Sequence, residues 1–175
     1  MTSARLALAL VCLAPLACAT GGGGGGSAAS ESSQVGTPAP ELTVESLSGK
    51  PIALSQYRGK VVLLDVWASW CGPCKQEMPV LDDLAKRLRG DGVEILAVSV
   101  DQERANVTKF LRARSKWALT IAHDPKGAIA DRLAPEKMPT SYVIDREGIV
   151  RYVNSGFVPS DAREIERRLV DVARR

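Results

Sequence analysis

The sequence predicts an α/β domain with a mixed central sheet, and three observations carry that prediction. Strand and helix patterns alternate from Val35 onward, and residues 61–67 and 93–100 are dense apolar runs of the kind found in strands covered on both faces. A short turn, Asp145-Arg146-Glu147-Gly148, joins two further strands, which must then be antiparallel, whereas the longer connections imply crossovers between parallel strands. At 175 residues, 45% hydrophobic and 25% charged, the chain can hold one ordinary globular domain with short extensions. Its +3 charge arises from 23 basic and 20 acidic residues spread along the sequence. Without a long basic stripe, no nucleic-acid partner is expected.

The first element is a targeting segment. Arg5 precedes an apolar run over residues 6–17, too short to span a bilayer but suited to the core of a signal peptide, so residues 1–18 predict export. Leu16-Ala17-Cys18 resembles the end of a bacterial lipobox, in which Cys18 would carry a lipid anchor to the membrane. Pro15 and Leu16 depart from that pattern, and Ala17-Cys18-Ala19 also fits ordinary signal cleavage. Residues 19–34, with six consecutive glycines, cannot bury apolar surface and read as a flexible tether, or simply as a spacer before the domain at residues 35–175.

Within the domain, residues 41–47 alternate loosely before the turn Ser48-Gly49-Lys50-Pro51, which predicts a short strand or hairpin. Residues 61–67 form the central strand, interrupted only by Asp65. A helix opens at residues 71–73 and runs to about residue 89, with Met78, Leu81, Leu84, Ala85 and Leu88 on one side and a kink expected at Pro79. A second strand covers residues 93–100, a helix 102–115, a third strand 117–122 and a short helix 127–133. Strands at 141–144 and 149–153 flank the turn at Gly148, and Ser160 is placed to cap a last helix ending near residue 173.

Chemistry concentrates at Trp70-Cys71-Gly72-Pro73-Cys74-Lys75. A dithiol at i and i+3 that opens a helix directly after a buried strand is activated by unpaired backbone N–H groups and the helix dipole, which stabilise the first thiolate. Cys71 is then the attacking sulfur, and Cys74, one turn on and more buried, resolves the mixed disulfide. A structural zinc site would need two more ligands, and the body offers only His123 as a further cysteine or histidine. A purely structural disulfide would close too short a loop to stabilise much. Trp67 reads as core and Trp70 as exposed and able to meet substrate. Lys75 contributes positive field, and His123 reads as a surface loop residue.

Residues 61–75, Val-Val-Leu-Leu-Asp-Val-Trp-Ala-Ser-Trp-Cys-Gly-Pro-Cys-Lys, resemble the active-site segment of thioredoxins. Gly36-Thr37-Pro38-Ala39-Pro40, Tyr57-Arg58-Gly59-Lys60, Gln76-Glu77-Met78-Pro79 and Val143-Ile144-Asp145-Arg146-Glu147-Gly148 narrow the resemblance to the TlpA/ResA-like branch. It covers nearly all of residues 35–175. The resemblance implies a thioredoxin fold with an N-terminal extension and a central helix-strand insertion at about residues 106–122. It implies bacterial export to the periplasm and reduction of protein disulfides, commonly those of apocytochromes c, by dithiol exchange that needs no metal or organic cofactor. Met138-Pro139-Thr140 aligns with the cis-proline loop that lies against the cysteines and binds an extended substrate segment. Asp65 matches the buried carboxylate that accepts the proton of the second cysteine, although the lysine that often accompanies it is replaced by Ala97, which implies a more desolvated carboxyl. Glu77 matches an acidic residue that the branch places near the site, where it tunes thiols or shuttles protons, or else simply faces solvent.

Gly72-Pro73 resembles the pair in reducing thioredoxins, which favours a reductase recharged by a membrane thiol donor. Two rivals remain. A peroxiredoxin-like thiol peroxidase shares the fold and the opening Gly-x-Pro-Ala-Pro, but the Pro-x-x-x-Thr-x-x-Cys environment is absent at Cys71. The other rival is a non-enzymatic peptide-binding module using the cis-proline groove.

Overall fold

The computed structural model describes residues 34–113 and 116–175. The predicted signal peptide, Cys18 and all of the tether but its last residue lie outside the described residues. The predicted N-terminal hairpin forms from β1 (Thr43–Ser46) and β2 (Pro51–Ala53), with Val44 opposite Ile52. There follow β3 (Val61–Trp67), α1 (Gly72–Leu88), β4 (Val93–Ser99), α2 (Arg104–Leu111), β5 (Thr120–His123), α3 (Ala128–Arg132), β6 (Thr140–Ile144), β7 (Val150–Ser155) and α4 (Ala162–Ala173). One seven-stranded sheet runs β2-β1-β5-β4-β3-β6-β7. Strands β3, β4 and β5 are parallel and the remaining pairs antiparallel, so the sheet is mixed as expected.

Every residue of β3 is buried, which the apolar run anticipates for a strand with neighbours on both edges and layers on both faces. Its period of two sends Leu63 and Trp67 to the face shared with Met78 and Leu81 of α1 and Leu169 of α4. Leu64 and Val66 point the other way, into a second cluster with Leu42 and Ile129. Each such aliphatic side chain contributes roughly 1.5–3 kcal/mol by leaving water. Residues 36–39 run along the start of β7, with Gly36 N–H donating to the Val150 carbonyl and Ala39 N–H to that of Gly148, both at 2.8 Å. Gln34 Nε2 donates to the Leu133 carbonyl at 3.2 Å.

Where element limits differ from expectation, side chains account for it. The helix expected over 102–115 is α2, which ends at Leu111, and the Trp117 indole N–H donates to the Leu111 carbonyl at 3.2 Å. The strand expected over 117–122 begins only at Thr120, because side chains of α1 and of the turn that follows it occupy both main-chain groups of Ala118. Asp82 accepts its N–H at 2.5 Å and Arg89 donates to its carbonyl at 2.8 Å, which leaves nothing for a ladder. The helix-strand insertion is therefore α2 and β5. Ser160 does not cap the last helix; it lies in the 3₁₀ turn Pro159–Asp161, where the Asp161 carboxylate accepts from Val158 N–H at 2.9 Å. Helix α1 continues through Pro79 to Leu88.

Candidate active site

Strand β3 ends at Trp67, and after a short loop Cys71 takes the N-cap position of α1 in an extended conformation. Its Sγ accepts from the Cys74 N–H at 3.2 Å, a bond that a Ser or Asp oxygen makes at other helix starts. Gly72 and Pro73 form the exposed first turn, where proline's missing N–H is not needed. Cys71 and Cys74 are joined in a disulfide with a Cα separation of 5.3 Å. The two cysteines are not equivalent: Cys71 retains 6% exposure and Cys74 none. Trp70, immediately before Cys71 in the chain, is 64% exposed, whereas Trp67 is fully buried against Phe110, with ring centroids 5.1 Å apart.

The Met138–Pro139 peptide is cis. Because Thr140 pairs with Val66 across antiparallel strands, Pro139 comes level with the end of β3, where the cysteine loop departs. Met138 packs against the apolar cluster that contains both cysteines, and Gly156 N–H holds the Pro139 carbonyl at 2.7 Å. Behind Met138 lies a largely apolar cavity of about 580 Å³, lined by Val66, Val100, Ile129, Ala134 and the Met138 side chain itself.

Asp65 shares the α1-facing side of β3 with Leu63 and Trp67, is completely buried, and neither of its carboxyl oxygens has a hydrogen-bond partner among the described residues. Ala97 stands opposite it on β4, in the register that the sequence anticipates. Burial without a partner pushes its pKa up to about 8. Glu77, one turn after Cys74 on α1, is 1% exposed, so of its two readings the solvent-facing one does not hold. Its pKa is also raised, first by burial, then by the carboxyl of Asp65 and that of Asp161 beyond it. Two carboxyl groups with raised pKa values therefore sit between β3 and α1.

The structure thus gathers Trp70, Cys71, Gly72, Pro73 and Cys74 in one turn, Met138 and Pro139 beside it, and Asp65 with Glu77 beneath. Two features escape the sequence reading. Asp161, far along the chain, acts on Glu77 through its charge, a long-range fact with no local signal. His123 is not a surface residue: it ends β5, pairs with Ser99 and Glu45, and is 2% exposed because β1 covers the strand that would otherwise be an edge. Its Nε2 lies 2.7 Å from the Asp101 carbonyl, and Asp101 is itself buried, two residues beyond β4.

A family model described as AhpC/TSA matches residues 35–153. A thiol-disulfide oxidoreductase ResA from Geobacillus kaustophilus is 35% identical over 138 residues, covering 79% of this chain and 78% of that one. The protein of the same description from Geobacillus thermodenitrificans is 36% identical over 122 residues, 70% of each chain. Among solved structures, a candidate thiol:disulfide interchange protein DsbE from Chlorobium tepidum superposes with a TM-score of 0.75 at 34% identity, over 79% of this chain and 97% of that one. The pneumococcal exposed lipoprotein thioredoxin from Streptococcus pneumoniae gives a TM-score of 0.65 at 30% identity, over 75% and 99% of the two chains.

Proposed function

The chain belongs to the AhpC/TSA family as a ResA-like thiol-disulfide oxidoreductase with a thioredoxin fold, and from that premise we propose that it reduces disulfides of exported proteins through Cys71 and Cys74. The observation that carries this reading is the unequal exposure of the two bonded cysteines at the start of α1. The reachable Cys71 thiolate, stabilised by the helix N-terminus, attacks one sulfur of a substrate disulfide. That bond breaks, a mixed disulfide forms and the first substrate thiolate leaves. Cys74 then gives its proton to a buried carboxylate and attacks the Cys71 sulfur, so the second substrate thiolate departs and the enzyme disulfide closes. Two electrons have passed to the substrate, and a dithiol donor at the membrane must return them.

Asp65 is the proton acceptor in this scheme, with Glu77 the second candidate for the role. A carboxyl with its pKa near 8 is matched to a thiol, whose ordinary value is about 8.5, so transfer between them is nearly level in free energy. In the oxidised form the same groups, protonated, can hand a proton to Cys74 as it leaves. No metal or organic cofactor takes part. An extended substrate segment lies along Met138 and Pro139 beside Trp70, Gly72 and Pro73, with an apolar side chain entering the cavity behind Met138. The haem-receiving cysteines of apocytochromes c are the substrates this reading favours, on family resemblance. Export follows from residues 1–18, and anchoring through Cys18 gains support from the likeness to a lipoprotein thioredoxin.

Trapping tests the scheme. With Cys74→Ser, substrates should accumulate as mixed disulfides on Cys71 and be identified by mass, and Cys71→Ser should abolish the adducts. An empty trap, or activity in cells retained by the double serine variant, would return the protein to the peptide-binding alternative.

A further inference from the structure

The loop between β3 and α1 is held by a buried carboxylate that the exchange steps do not use. Asp101, just beyond β4, is 1% exposed. Its Oδ2 accepts from the Ser69 N–H at 2.8 Å and from the Ser99 hydroxyl at 2.7 Å, and its Oδ1 accepts from the Ser69 hydroxyl at 2.6 Å. The backbone of Asp101 is fixed in turn: its N–H donates to Ser99 Oγ at 3.1 Å, and buried His123 meets its carbonyl at 2.7 Å. One bond further back, Val100 N–H donates to the Trp67 carbonyl at 3.0 Å.

A buried carboxylate is costly unless its oxygens are satisfied, and here two of the three donors belong to one residue. Ser69 is gripped by both its main-chain and side-chain donors, two positions before Cys71. We propose that Asp101 is a positioning residue: through Ser69 it fixes the β3–α1 loop so that the Cys71 sulfur stays at the N-terminus of α1. The proposal rests on Cys71 being the nucleophile. His123 is the strut behind the carboxylate.

Two physical effects of Asp101 on Cys71 have opposite signs, which makes the idea decidable. As a bare negative charge, the carboxylate disfavours a nearby thiolate, and its removal would lower the thiol pKa. As a positioning group, it keeps the sulfur where helix N–H groups and the dipole stabilise the thiolate, and its removal raises that pKa.

The test is the pH profile of alkylation of the reduced protein by iodoacetamide, with the modified cysteine identified by mass. Asp101→Asn should move the apparent pKa of Cys71 upward by about one pH unit and slow alkylation at neutral pH roughly tenfold. Ser69→Ala should shift the profile in the same direction, Ser69→Thr should hold it near the parent's, and the double variant should be no worse than Asp101→Asn alone. An unmoved or lowered pKa overturns the proposal, as does a fall in melting temperature with an unchanged profile, since that is what a merely structural role gives. Should Asp101→Asn fail to fold, Ser69→Ala on its half-buried loop decides the matter by the same readout. Alkylation at Cys74 in the parent protein would instead overturn the assignment of the nucleophile.

Discussion

Asp65 carries a carboxyl group into a strand that is buried along its whole length, and that placement has two measurable consequences. The first is kinetic: as proton acceptor, its carboxylate fraction grows as pH rises toward 8, so resolution by Cys74 should accelerate over that interval. Asp65→Asn should slow resolution at neutral pH by at least roughly tenfold and flatten its pH dependence in single-turnover measurements. An unchanged rate and profile would transfer the role to Glu77, to be checked with Glu77→Gln. The second is thermodynamic. A carboxyl whose folded-state pKa is raised above its ordinary 3.8 contributes stability that is complete below that value and is lost as pH rises through the folded one. The melting temperature of the oxidised protein relative to Asp65→Asn should therefore fall as pH rises from about 4 to about 8. A flat difference would show that Asp65 does not titrate in that window. The carboxyl is visible in the sequence as a charge breaking an apolar run, and Glu77 only through resemblance. Asp101 ends a buried strand with a similar break in Val98-Ser99-Val100-Asp101, but its partner Ser69 lies 32 positions away.

At the scale of elements, α1 binds more than the disulfide. Asp82 on α1 and Arg89, the first residue after it, take both main-chain groups of Ala118 and so latch the inserted segment to the reactive helix. Asp82 is wholly buried, and Lys86, half exposed at 2.8 Å, adds little as an ion pair. Asp82→Ala leaves the Ala118 N–H without its acceptor, which should cost about 1–3 kcal/mol in urea unfolding. An unshifted midpoint would mean that the latch is not stabilising. The strands β3, β4 and β6 were legible to within a residue or two because burial on both faces leaves a mostly apolar pattern. The start of β5 and the end of α2 were not, since tertiary side-chain bonds set both limits, and a local pattern does not encode such partners.

For the whole molecule, the fold class and the mixed sheet followed from alternation and from one hairpin turn, while the place of each strand in the sheet did not. Strand β5 lies between β4 and β1, so the N-terminal hairpin closes over an edge that His123 would otherwise expose. Export and anchoring belong to this scale too. Cys18→Ala should move the protein from the membrane to the soluble fraction of fractionated cells if Cys18 carries a lipid. An unchanged distribution would favour ordinary signal cleavage.

The seam that joins residues 36–39 to β7, with Gln34 held at Leu133, fixes where residues 1–33 leave the domain. Were Cys18 anchored, a pull on the domain would enter at the rim of the sheet and be resisted there by main-chain bonds, with neither β3 nor α1 in the line of force. A molecule tugged by its leash would thus slip a few stitches at its border while the reactive turn kept its shape.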